Sequence, residues 1–289
     1  MNSYNVNPDY ILYGVLSIAF LILLYTIFII FFENDKICKN IHYYSFYDKI
    51  DKRIMYHKSN PFYRNLKDVY MSDTIKKEIT STIGDFIKHS KNFKKQNVPR
   101  SLRFILSGVE GIGKTTLIEA ISSEFDYGLI HFPKNNYTEK MVHSFFKDVN
   151  TFLGKNNIIM FDGIDFDAIQ NYNKQLYELL AELVIKNDNN NIFMFTFNSI
   201  NSIPVTFSSN FHIHHHYHMD VNINYVMNMI SNNMNQWSEN DISSEELIKI
   251  KNNLLNLNHK ITPGYIIPYL IFNENFQKSL ERFFKVIKN

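Results

Sequence analysis

Apolar positions fall along this chain in three rhythms: one long unbroken run, several short unbroken runs, and stretches with helical spacing between them. From Tyr10 to Phe32 no residue is charged. At about 1.5 Å per residue a helix of that stretch covers about 34 Å, enough for a hydrocarbon core of about 30 Å. A cleaved signal peptide would want a basic start and small residues at its cut; here no Lys or Arg precedes the run, and it closes on Phe31-Phe32-Glu33. The run reads as a transmembrane helix. Lys36, Lys39, Lys49, Lys52, Arg53 and Lys58 all follow it, which puts the bulk of the chain on the cytosolic or matrix side.

From Asn40 to Lys67 the alternating, aromatic-rich sequence fits either a short β-hairpin or a connector. Ser72 then reads as an N-cap for a helix whose face carries Ile75, Ile79, Ile83, Phe86 and Ile87. Five short apolar runs read as buried strands: Arg103–Leu106, Gly128–Phe132, Ile158–Asp162, Ile192–Asn198 and, less apolar, Phe211–Met219. Between them Leu117, Ile118, Ile121 and Phe125, the stretch Tyr137–Leu153, and the stretch Tyr172–Ile185 show helical periodicity. Beyond the last strand the chain is helical, with a capping box at Ser243 and Glu246 and a helix beginning at Thr262-Pro263. Strands alternating with helices predict an α/β fold with a parallel sheet, whose ligand edge is the C-terminal end of the strands.

Composition narrows this picture only a little. A chain of 289 residues can bury a substantial core, and its net charge of +2 gives no support for nucleic acid as the main partner. The single cysteine, Cys38, excludes an intramolecular disulfide framework.

Chemistry enters at Gly108-Val109-Glu110-Gly111-Ile112-Gly113-Lys114-Thr115-Thr116, between the first strand and its helix. The spacing G-x-x-x-x-G-K-[ST] is that of a phosphate-binding loop. Its glycines allow successive backbone N–H groups to face phosphate oxygens, Lys114 supplies a cation, and the Thr115 hydroxyl can hold Mg²⁺. The third strand ends in Asp162, placed to sit beside that Mg²⁺. The expected cofactors are therefore ATP and Mg²⁺, with Thr115 and Asp162 as the metal-facing residues. The tract His212, His214, His216, His218 invites a metal assignment too, but same-face strand residues lie about 7 Å apart and only Asp220 offers an acid nearby. A partly exposed histidine strand is the better reading.

These residues, with Ile87 through Val98-Pro99-Arg100-Ser101-Leu102-Arg103, Ile159-Met160-Phe161-Asp162-Gly163-Ile164-Asp165, Thr196-Phe197-Asn198 and Ile261-Thr262-Pro263-Gly264-Tyr265, resemble AAA ATPases of the Bcs type, membrane-anchored chaperones of mitochondrial respiratory complex III assembly. The resemblance implies a P-loop AAA sheet flanked by helices, a C-terminal helical lid, a homo-oligomeric ring, and ATP hydrolysis coupled to remodelling or translocation of a protein client at a membrane. It divides the chain into a tail (1–9), a transmembrane helix (10–32), a connector (33–64), a nucleotide-binding domain (65–220) and the lid (221–289). It makes Asn198 the residue that positions the attacking water or reads the γ-phosphate.

Three departures stand against full activity. Gly163 occupies the place of the family's catalytic glutamate, leaving Asp165 as a weak substitute. No arginine lies in Ile203–Phe211, where the family carries its arginine fingers, and the connector is short. A finger contributes about 10³–10⁵ in rate and a water-positioning base about 10²–10⁴. Two functions follow: a membrane-anchored AAA motor with weak hydrolysis, or a pseudo-ATPase that holds nucleotide as a scaffold or ring subunit. On the sequence alone Gly163→Glu should raise turnover by up to about 10². A DNA-handling P-loop ATPase is a third reading that no basic cluster supports.

Overall fold

A computed structural model of the chain describes residues 42–45, 55–58, 64–95, 100–132, 138–151, 156–237, 244–256, 261–271, 282–283 and 285. The expected transmembrane helix at 10–32, Cys38, Val98-Pro99 and Ser243 lie outside them. Among the described residues no helix is long and apolar enough to cross a membrane.

Among the described residues seven strands make one sheet in the order β2-β1-β4-β5-β6-β3-β7. Five of them, β3 (Ser101–Gly108), β4 (Gly128–His131), β5 (Asn157–Asp162), β6 (Asn191–Phe197) and β7 (His215–Met219), run parallel. The two others come from the stretch that fitted either a hairpin or a connector: β1 (His42–Ser45) pairs antiparallel with β2 (Met55–Lys58) and parallel with β4, so this segment widens the sheet.

The central strands are mostly apolar because both sheet faces are covered. Side chains of β5 and β6 alternate between two cores, as a period of two requires. Ile159, Phe161, Phe193, Phe195 and Phe197 face one side, with helices α3 (Glu139–Thr151) and α5 (Lys174–Ile185). Ile158, Met160, Ile192 and Met194 face the other, with α1 (Asp73–Lys95) and α2 (Lys114–Phe125). Helices α7 (Ile223–Trp237), α8 (Ser244–Leu255) and α9 (Pro263–Ile271) contribute to a separate cluster around Val226, Ile230, Leu254 and Ile266.

Two expected elements differ. The periodic stretch Tyr172–Ile185 is helical from Lys174, as α5: Tyr172 closes a separate short helix, α4 (Phe166–Tyr172), and Asn173 caps α5, its side chain accepting the Leu176 N–H at 3.1 Å. A short amide that caps a new helix competes here with continuation of the old one. The last strand is shorter than Phe211–Met219, because Phe211 is drawn fully into the aromatic core. His212 turns there with φ 47. The buried Arg103 holds that turn, reaching the Phe211 and His212 carbonyls at 3.5 and 3.4 Å.

Candidate nucleotide site

Strand β3 delivers the loop Gly108–Gly113 at the ligand edge of the sheet, and α2 starts at Lys114. Ile112, 1% exposed, plugs the loop into the core below it. The helix's first N–H groups have no intrahelical partners, so they and the loop make an anion-binding end. Gly111 is the one residue type its position accepts. Its φ is 76, and a Cβ there would meet the Thr262 Oγ1 at 2.5 Å. The Gly264 N–H donates to the Gly111 carbonyl at 2.9 Å, so the C-terminal helices touch the loop backbone directly.

Lys114 is buried, and its ammonium donates to the carbonyls of Gly108 (2.6 Å) and Val109 (3.0 Å) and to Asn198 Oδ1 (3.4 Å). Desolvation holds its pKa below the usual lysine value, opposed by the charges of Asp162 and Glu110. A cation kept out of water without a carboxylate bonded to it is poised for an anionic ligand.

Asp162 closes β5. Its Oδ2 accepts from the Thr115 hydroxyl at 3.3 Å and its Oδ1 from the Thr196 hydroxyl at 2.6 Å, while Gly163 N–H donates to Thr196 Oγ1 at 3.3 Å. Hydroxyl and carboxylate oxygens are the donor set that suits Mg²⁺.

Glu110, Gly111, Ile112, Gly113, Lys114, Thr115, Thr116, Asp162 and Asn198 border one cavity of about 300 Å³. Gly108 and Val109 lie behind it and take part through their carbonyls. Two further walls were given no role by the sequence: Asp68–Tyr70, which carry no motif, and Pro263 and Gly264 of the quoted Ile261–Tyr265 stretch, with Ile267 beyond it. Beside them is the buried Thr262 hydroxyl, which has no hydrogen-bond partner among the described residues. The residues present fit a nucleotide with Mg²⁺. Thr196 carried no role of its own in the quoted Thr196-Phe197-Asn198, although a single hydroxyl inside the apolar run Ile192–Phe197 is a readable signal.

Asp165 is not brought to this cavity. It caps α4, accepting the Ala168 N–H at 2.8 Å, and borders a second cavity of about 460 Å³ that adjoins the first at Gly163 and Asn198. Gly163 has φ 66, a left-handed backbone that costs a side-chain-bearing residue about 1–2 kcal/mol. The backbone as it stands therefore favours glycine at this position.

The histidines are occupied otherwise. Ser107 Oγ lies 2.8 Å from His216 Nε2 and 3.0 Å from His218 Nδ1, and His218 Nε2 is 3.3 Å from Asp220. His214 Nδ1 accepts the Arg103 N–H at 3.0 Å; burial and then the Arg103 charge push its pKa down to about 4. Among the described residues no three side chains form a metal-binding group.

A parallel sheet with a phosphate-binding loop after one central strand and an acid ending another defines the P-loop nucleotide-binding class. Residues 104–218 match the ATPase family associated with various cellular activities (AAA). They form an AAA ATPase domain. A stretch of 66 residues is 32% identical to the "Probable mitochondrial chaperone bcs1" of Schizosaccharomyces pombe, in line with the Bcs-type resemblance. That stretch is 23% of this chain and spans only 15% of the relative's length. The structure of C. elegans PCH-2 is similar in fold, with a TM-score of 0.53 at 14% identity, over 77% of this chain and 71% of that one.

Proposed function

We propose that the chain binds ATP with Mg²⁺ in the cavity at the loop and turns it over slowly. In this reading it works as a membrane-anchored, ring-forming AAA protein that remodels or translocates a protein client. The observation that carries this is the buried Lys114 ammonium beside the Thr115–Asp162–Thr196 chain of oxygens. Lys114 and the N-terminus of α2 would hold the β- and γ-phosphates, Thr115 and Asp162 would hold Mg²⁺, and Asn198, within reach of Lys114, would face the γ-phosphate. Mg²⁺, when bound, neutralises phosphate charge. Residues 10–32 would supply the anchor: the full chain should resist alkaline carbonate extraction and deletion of 10–32 should release it. Extraction of the intact chain as a soluble protein would remove the membrane from this proposal.

A second reading, a nucleotide-holding scaffold with little or no turnover, is favoured by Gly163 and Asp165. With φ 66 at Gly163, the rate gain expected from the sequence for Gly163→Glu is withdrawn. The substitution should lower stability by about 1–2 kcal/mol, and the thermal midpoint by about 2–4 °C for each of those kcal/mol. ATP affinity should stay measurable, and turnover should stay below about 1 s⁻¹, as in the unmodified chain. Calorimetry and a phosphate-release assay on the full chain separate the readings. Slow turnover that Lys114→Ala abolishes supports the motor, and binding without turnover supports the scaffold. A gain near 10² from Gly163→Glu would mean the strand end does accept a catalytic glutamate.

A further inference from the structure

We propose that Thr196 is a positioning residue that aims the Asp162 carboxylate at the Mg²⁺ site, an inference that rests on the MgATP reading above. Asp162 and Thr196 are register partners at the ends of the adjacent parallel strands β5 and β6. Neighbouring strands lie about 4.8 Å apart, so two short polar side chains on the same face meet there. Thr196 is 3% exposed and follows the fully buried Phe195. A hydroxyl so enclosed needs hydrogen-bond partners, and the structure gives it two. It donates its only proton to Asp162 Oδ1 at 2.6 Å and accepts the Gly163 N–H at 3.3 Å.

The consequence lies in which carboxylate oxygen is engaged. The terminal torsion of an aspartate is broad and roughly two-fold, so a lone carboxylate swings. Thr196 takes Oδ1, and Oδ2 is left toward the Thr115 hydroxyl at 3.3 Å. One hydroxyl thus orients the acid and, through Gly163 N–H, ties down the left-handed turn that follows it. Valine has nearly the same shape and would fill the space without doing either. The role is therefore separable from packing.

The test is calorimetric titration of ATP into the full chain, first in EDTA and then across Mg²⁺ concentrations. A hydrogen bond to a charged group is worth enough for roughly a 10- to 100-fold effect. Thr196→Val should weaken the Mg²⁺ dependence of ATP binding by that factor while leaving Mg²⁺-free ATP affinity within about twofold. Thr196→Ser, which keeps the hydroxyl, should restore the unmodified behaviour. In an Asp162→Asn background Thr196→Val should add little, because the residue it acts through is already altered. Thr196→Ala supplies the same reading should the valine variant fail to fold. An unchanged Mg²⁺ dependence in Thr196→Val would overturn the proposal, and so would equal losses with and without Mg²⁺. If the unmodified chain binds ATP without any Mg²⁺ dependence, the MgATP reading itself fails; if it binds with that dependence and the variants match it, only the role of Thr196 fails.

Discussion

Replacing Lys114 by alanine is expected to weaken ATP binding by about 10²–10³-fold while leaving the fold as stable as before, or slightly more so. The two halves of that result have one cause. The ammonium is buried and its partners are the neutral oxygens of Gly108, Val109 and Asn198 rather than a carboxylate. In the empty site it is a desolvated charge held below its ordinary pKa by burial, so removing it relieves a cost. In the liganded site the same charge faces phosphate. Truncating one member of a buried, hydrogen-bonded charge pair costs about 2–5 kcal/mol, and each 1.4 kcal/mol is about tenfold in affinity. A residue that is neutral or unfavourable for folding and strongly favourable for binding is what a functional site, as opposed to a core, should contain. Calorimetric titration of the full chain and a thermal melt check both halves. Affinity within about threefold of the unmodified chain would exclude the loop as the nucleotide site. A lost fold with lost binding would mean that Lys114 is structural.

Much of the sheet was legible because its central strands are buried on both faces, so their residues read as unbroken apolar runs. The phosphate loop was legible because its chemistry needs fixed residue types at fixed spacing. What escaped belongs to contacts between segments far apart in sequence. Asp68–Tyr70 wall the cavity without any motif, and Gly264, quoted only as part of the stretch Ile261–Tyr265, reaches the loop through a backbone hydrogen bond to Gly111. Backbone donors leave no trace in residue type. The helix Tyr172–Ile185 was legible to within two residues, but the short helix α4 ahead of it and the cap at Asn173 were not, because capping is a local competition that periodicity does not register. Gly163 shows the limit most sharply. Its identity suggested a lost glutamate, and its φ of 66 adds a left-handed backbone conformation that the letter alone did not reveal.

The aromatic layer behind the site sets the second large effect. Phe195→Ala is expected to destabilise the fold by about 3–5 kcal/mol, the range for truncating a buried Phe to Ala. Phe195 is 0% exposed, and its ring lies 4.7 Å from Phe161, 5.1 Å from Phe207, 5.3 Å from Phe211 and 5.7 Å from Phe166. Its neighbours sit on β5, on α4, on the short helix α6 (Phe207–Asn210) and on the turn after it, elements that cannot all move inward to refill the space. Incomplete collapse leaves a cavity, which is why the upper part of the range applies. For a fold of this size about 1 kcal/mol shifts the thermal midpoint by about 2–4 °C, so a fall of roughly 10 °C is expected in a melt of the full chain. Tyr172→Ala is the control. At 91% exposed it should change stability by no more than about 0.5 kcal/mol. The site should suffer with the core, because Thr196 and Asn198 follow Phe195 on the same run and Phe161 precedes Asp162. ATP affinity should therefore fall in Phe195→Ala even at temperatures where the chain is still folded. A loss of stability below about 1 kcal/mol would mean the rings do not form a single packed layer. Full stability loss with unchanged ATP affinity would mean that the strand ends are held by their hydrogen bonds alone.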